Sequence, residues 1–175
     1  MTEPTPQPDR VVQIDINAPI TQVWDEITKT GRIQRAVYNT VLDGELRPGG
    51  RLRYYSPNRK RVFVVGEVKE IEPPHRFVHT YVMTLNPDPP TLVTWELEER
   101  DGACRVTLIH SGWTDAHKTA DKTAAGWEEI LGLLKAQVET GQIPLKTRVM
   151  YGVMGLFSFA LPKTTTVDYA DRQGW

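Results

Sequence analysis

A single cysteine, Cys104, is all the thiol this 175-residue chain has, so it holds neither an internal disulfide nor a CxxC pair. Set in the middle of an apolar alternation, that cysteine reads as a packed side chain in a reducing cytoplasm, not as a nucleophile. Neither sign of charge dominates, with 21 Lys and Arg against 22 Asp and Glu. No basic stripe is long enough to track phosphates, and nucleic acid is not an expected partner. The catalytic signatures HExxH, GxSxG, Walker loop and GxGxxG are missing, as is any closely spaced set of His and carboxylates. No metal and no cofactor are therefore expected. The opening MTEPTPQPDR has no apolar core of the kind a secretory signal carries, and its Pro, Thr and charge content predicts a disordered tail over residues 1–10.

Periodicity begins at Val11. VVQIDI puts Val12, Ile14 and Ile16 on one side and Gln13 and Asp15 on the other, which predicts a half-buried strand. In ITQVWDEIT the apolar residues Ile20, Val23, Trp24 and Ile27 recur at helical spacing, and a second short helix is expected over GRIQRAVY. Five strand-like segments follow, RLRYYS, RKRVFVVGEVKEIEPP, RFVHTYVMTL, TLVTWELEE and CRVTLIHSGW, separated by short turns rich in Gly, Pro and Asp. Such spacing predicts an antiparallel meander. After Thr119, Ala124, Trp127, Leu131, Leu134 and Val138 recur at steps of three and four until Gly141, which predicts a long helix with one broad apolar face laid on the sheet.

Beyond Gly141 the pattern changes. Val149 to Pro162 carries no charge and is apolar nearly all round, yet it falls short of the roughly 18 to 20 residues a spanning helix needs. No stable membrane insertion is expected. A helix bounded by Pro144 and Pro162 that hides as a lid on its own domain, or by pairing with a second copy, is the economical solution. Gly152 and Gly155 favour pairing, so a homodimer through Met150, Val153, Met154, Phe157 and Leu161 is expected.

The order strand, helices, antiparallel strands, long helix resembles the α+β helix-grip fold. Six segments in sequence, INAPITQVWDEIT, RPGGRLRY, GEVKEIEPPHRFVHTY, VTWELEE, LIHSGW and GWEEILGLLKAQVETG, resemble the stand-alone relatives of the activator of heat shock protein 90 ATPase. That family lies in the START and birch-pollen-allergen-like superfamily. The resemblance covers residues 11–141, leaving 142–175 as an extension outside the pattern. It implies a curved sheet gripping the long helix around a cavity for a small apolar molecule.

On that fold, strand alternation turns Val106, Leu108 and His110 toward the helix, along with Phe77, His79 and Tyr81, with Val93, Trp95 and Leu97, and with Leu52 and Tyr54. Trp127 and Leu131 face them. The ligand contacts expected are thus Tyr54, His79, Tyr81, Trp95, His110, Trp127 and Leu131. If a reaction occurs there, as in related cyclases, hydrolases and aldol-type enzymes, His79, His110 and Tyr81 are the candidate acids and bases. Glu67 alternates with Val68 and belongs on the solvated outer face. Binding of a hydrophobic or aromatic molecule is the leading expectation, a cavity enzyme the second, and a chaperone-modulating interaction protein the third.

Overall fold

Alternating apolar residues and short turns fold the first two thirds of the chain into one curled antiparallel sheet, and the long amphipathic segment lies across its concave face. The computed structural model describes residues 3–175. In chain order the elements are β1 (Arg10–Ile16), α1 (Ile20–Thr28), β2 (Ile33–Gln34), β3 (Thr40–Gly44), β4 (Arg51–Tyr55), β5 (Val62–Glu72), β6 (Arg76–Met83), β7 (Thr91–Arg100), β8 (Ala103–Ser111), α2 (Ala120–Thr140), α3 (Leu145–Leu156) and α4 (Val167–Arg172). The eight strands lie in the order β1-β8-β7-β6-β5-β4-β3-β2. This is a helix-grip fold of the α+β class. Gly141 stops α2 in the left-handed conformation at φ 75°, and its N–H donates to the Gln137 carbonyl.

The core lies between sheet and helices. Ile16, Leu52, Phe77, Val93, Trp95, Val106 and Leu108 from the strands meet Ile20, Val23 and Ile27 from α1 and Trp127, Leu131, Leu134 and Val138 from α2. A second, small core sits on the opposite face of the sheet. There Val62 and Val65 are covered by Ala170 of α4, with Val167 and Trp175 at its edge. The extension thus passes from the concave side round to the convex one, and Arg61 ties it down by donating to Thr165 Oγ1 at 3.1 Å.

Three expectations are corrected. Residues 3–9 do not hang free: Gln7 N donates to the Trp113 carbonyl at 2.8 Å and Thr5 N to Asp115 Oδ1 at 3.0 Å, extending pairing past the end of β8. GRIQRAVY is not a helix. Ile33 and Gln34 form a strand against β3, and the buried Gln34 Nε2 donates to the Ile27 and Lys29 carbonyls, satisfying acceptors at the end of α1 that a continuing helix would have used. Finally, of the two ways expected for the charge-free run to hide from water, the lid on its own domain is not the one seen, and the expectation of pairing is left standing. Of α3 only Tyr151 is buried, while Leu156, Phe157 and Phe159 are 74%, 60% and 76% exposed.

Candidate functional site

Strands β4, β6, β7 and β8 and helix α2 bring all seven expected contacts together. Tyr54, His79, Trp95, His110, Trp127 and Leu131 are buried, and Tyr81 is half-buried beside them. Ring centroids stand 5.0 Å apart for Tyr81 and His110, 5.9 Å for Tyr81 and Trp127, and 5.8 Å for Trp95 and Trp127. Helix α2 leans chiefly on β1. The wedge it leaves toward the middle strands is closed by rings rather than by backbone. A hollow at its rim, bordered by Tyr81, Asn86, Thr91, Trp113 and His117, has a volume of about 10 Å3, room for about one water molecule. The roomy pocket implied by the resemblance is therefore not open in this structure, because indole, phenol and imidazole rings occupy the space.

His110 is fully committed. The indole N–H of Trp127 donates to its Nδ1 at 2.8 Å, so the ring proton sits on Nε2, which donates to Thr91 Oγ1 at 2.7 Å. The Thr91 hydroxyl in turn donates to the Tyr81 carbonyl at 3.1 Å. Trp113 Nε1 donates to the His110 carbonyl at 2.9 Å. Burial, with smaller contributions from His79 and His117, pushes the imidazole pKa down to about 3. A neutral ring with both nitrogens engaged joins β8, β7 and α2; its Nδ1 lone pair is not free to take a substrate proton.

His79 is the opposite case. Its Nδ1 donates to the Thr80 carbonyl at 2.8 Å, which leaves Nε2 as a bare acceptor. That atom is buried and has no hydrogen-bond partner among the described residues. The side chain is 1% exposed, between Phe77 at 5.0 Å and Tyr54 at 6.5 Å. Burial carries its pKa down to about 4, partly offset by the Thr80 bond. Burial also raises the phenols of Tyr54 and Tyr81 well above their usual value.

Several side chains at this site escaped the sequence. Thr91 follows a double proline at a strand start, and only its hydrogen bond to His110 Nε2 across β7 and β8 shows that it reaches the imidazole. Tyr151, from α3, joins the main core with no local spacing to announce it. Glu67 lies outside the site, as alternation requires, and is paired with Lys69 at 2.7 Å. No group of three or more potential metal ligands occurs among the described residues. Among the same residues no helix is long and apolar enough to cross a membrane.

The eight-stranded grip around α2 defines a helix-grip protein with an aromatic, histidine-bearing interior. Residues 17–139 match the family model described as Activator of Hsp90 ATPase homolog 1-like protein, and the chain belongs to that family. No curated protein matches the chain. Among solved structures it is similar to DynU16, from the dynemicin biosynthetic locus, at 23% identity and a TM-score of 0.66 over 79% of this chain; it spans only 49% of the length of that protein. It is also similar to CalU16 from Micromonospora echinospora, at 20% identity and TM-score 0.62 over 87% of each chain. The Aha1 dimer from Colwellia psychrerythraea gives 16% identity and TM-score 0.63 over 78% of this chain and 99% of that one.

Proposed function

We propose that this protein binds a small, apolar, partly aromatic molecule carrying a hydrogen-bond donor, in the wedge between α2 and strands β4 to β7. The observation that carries the reading is His79 Nε2, a buried acceptor of settled tautomer with nothing to accept from. An acceptor left unpaired in an apolar interior costs about 1–3 kcal/mol, and a ligand hydroxyl or amine would recover it. The rings of Tyr81, Trp95 and Trp127 supply faces and edges on which an aromatic body stacks. Because rings fill the wedge and leave room for about one water, binding requires α2 and the rings it carries to move away from the middle strands. Membership in a family of the helix-grip class supports the reading, as does likeness in fold to DynU16, a protein in the dynemicin biosynthetic locus.

Native mass spectrometry of the purified protein tests it. The expected result is a non-covalent adduct of a few hundred daltons, on the order of a drug-sized ligand, that is depleted in the His79→Phe variant. A protein that carries no adduct and binds no member of a panel of hydroxylated aromatics overturns the proposal.

A second reading is favoured by one separate observation, the exposure of Val149, Met150, Val153, Met154, Leu156 and Phe157 along α3. An apolar surface of that extent marks an association site. We propose self-association there, through Met150, Val153, Met154, Phe157 and Leu161.

A further inference from the structure

His79 Nε2 is a bare acceptor only because Nδ1 carries the ring proton, and what holds the proton there lies in the pairing of β5 with β6. Thr84 N donates to the Phe63 carbonyl at 3.0 Å. In an antiparallel ladder such bonded pairs recur at every second residue, here Phe63 with Thr84, Val65 with Val82, and Glu67 with Thr80. The Glu67 N–H is therefore due at the Thr80 carbonyl. It donates instead to the Thr80 hydroxyl oxygen, at 2.8 Å. Pairing resumes at Val68 and His79 and slips by one residue before Glu70 and Val78, the kind of irregularity that re-aims a neighbouring group.

This exchange of hydroxyl for carbonyl acts one residue away. The Thr80 carbonyl, released from the ladder, accepts the Nδ1 proton of His79 at 2.8 Å. Since a carbonyl can only accept, it fixes the tautomer and turns Nε2 into a lone pair aimed at the interior. Gly66 supplies the room: an added Cβ there would collide with that same carbonyl oxygen, so a side chain at this position would drive it aside. His110 is the counterpart, with its proton on Nε2 and its Nδ1 lone pair taken by Trp127. Two inward histidines thus hold their protons on opposite nitrogens. Gly66, His79 and Thr80 all belong to the sheet, so the arrangement does not depend on where α2 lies.

We infer that Thr80 is a positioning residue of the binding site: its hydroxyl replaces its own carbonyl in the β5–β6 ladder, and the carbonyl so freed locks His79 as an acceptor, so that the site selects phenols over their methyl ethers. The inference rests on the binding reading above and names what sets the polarity of that site. A phenol brings the proton that Nε2 lacks. A methyl ether of the same ring system brings only a lone pair and leaves the buried acceptor unsatisfied.

Long-range proton–nitrogen correlation spectra of the full-length protein with isotopically labelled histidine read the tautomer directly and need no ligand; His79→Phe assigns the signals by their loss. The parent should show His79 protonated on Nδ1 and His110 on Nε2. In Thr80→Val the Glu67 N–H loses its hydroxyl acceptor and reclaims the carbonyl, so the Nε2–H form of His79 should appear. Gly66→Ala, whose Cβ displaces the carbonyl itself, should give the same change by another route. Thr80→Ser keeps the hydroxyl and should keep the parent pattern. A His79 protonated on Nε2 in the parent, or an unchanged tautomer in Thr80→Val, overturns the inference. The parent, Thr80→Ser and Thr80→Val are then titrated calorimetrically with naphthol and with its methyl ether. Parent and Thr80→Ser should favour naphthol by about tenfold, the worth of one hydrogen bond, and Thr80→Val should lose most of that preference. If the tautomer changes and the preference does not, Thr80 has no part in selection while the binding reading stands. If neither probe binds the parent, the binding reading falls and the selection with it, whatever the tautomer.

Discussion

Trp127 and His110, contributed by α2 and β8, share a hydrogen bond of 2.8 Å from indole Nε1 to imidazole Nδ1, and that bond joins the long helix to the sheet it crosses. It also decides the tautomer of the histidine, since an indole can only donate. Trp127→Phe keeps most of the ring area but leaves Nδ1 without its donor. The expected cost is about 1–3 kcal/mol in urea unfolding. Combining it with His110→Leu should cost less than the sum of the two single changes, and additive costs would show that the bond contributes nothing beyond packing.

Both buried histidines make stability depend on pH in the same direction. His110 titrates at about 3 and His79 at about 4 in the folded protein, each lowered first by burial. An unfolded histidine titrates near about 6.5. Between these values the unfolded chain binds protons that the folded one refuses. The stabilisation is fully present above about pH 6.5 and is lost as pH falls toward the folded values, at about 1.4 kcal/mol per pH unit for each histidine. Urea unfolding at pH 7 and pH 5 should show the parent losing stability on acidification, and the His110→Gln variant losing less of its own. Equal losses would exclude His110 as a source.

At His79 the balance of two effects sets the sign. Phenylalanine removes an unpartnered acceptor, worth about 1–3 kcal/mol, and forfeits the bond to the Thr80 carbonyl, worth about 0.5–1.5 kcal/mol. The first outweighs the second. His79→Phe should melt at or above the parent temperature while binding hydroxylated aromatics more weakly. Undiminished binding would make the imidazole a packing residue only.

Full-length protein is expected to be dimeric in light scattering, and Met154→Asp combined with Phe157→Asp to be monomeric, since a carboxylate in a buried apolar interface is costly. Point changes are needed here. Removing everything after Gly141 would also strip Ala170 and Val167 from the outer face of β5 and expose Val62 and Val65. A monomeric parent defeats the pairing, and a dimeric double variant places the interface elsewhere.

The residues that were legible in the sequence are those whose surroundings follow from a local period. Two-residue alternation turned His79, Trp95 and His110 inward, and helical spacing turned Trp127 and Leu131 to meet them, because a sheet face and a helix stripe must each bury their apolar side. What those side chains do to one another was not legible. His110 and His79 occupy similar inward positions, yet one has both nitrogens bonded and the other has an acceptor left over. That difference depends on Thr91 and Trp127, brought in from 19 and 17 residues away.

Local propensity, read alone, gave way wherever a distant group had the stronger claim. Over GRIQRAVY, Gln34 closes the end of α1 and pairs with β3 in place of a helix. Beyond Gly141, VDYADR forms α4 because Val62 and Val65 present an uncovered apolar patch on the far face of the sheet, a need that nothing near residue 167 announces. Sequence by itself determined the elements and the faces they bury, since both follow from patterns repeating within one or two turns or strands. Only the tertiary structure decided which buried polar atoms find partners and which are left waiting, because hydrogen bonds are satisfied between elements whose meeting is set by the whole fold.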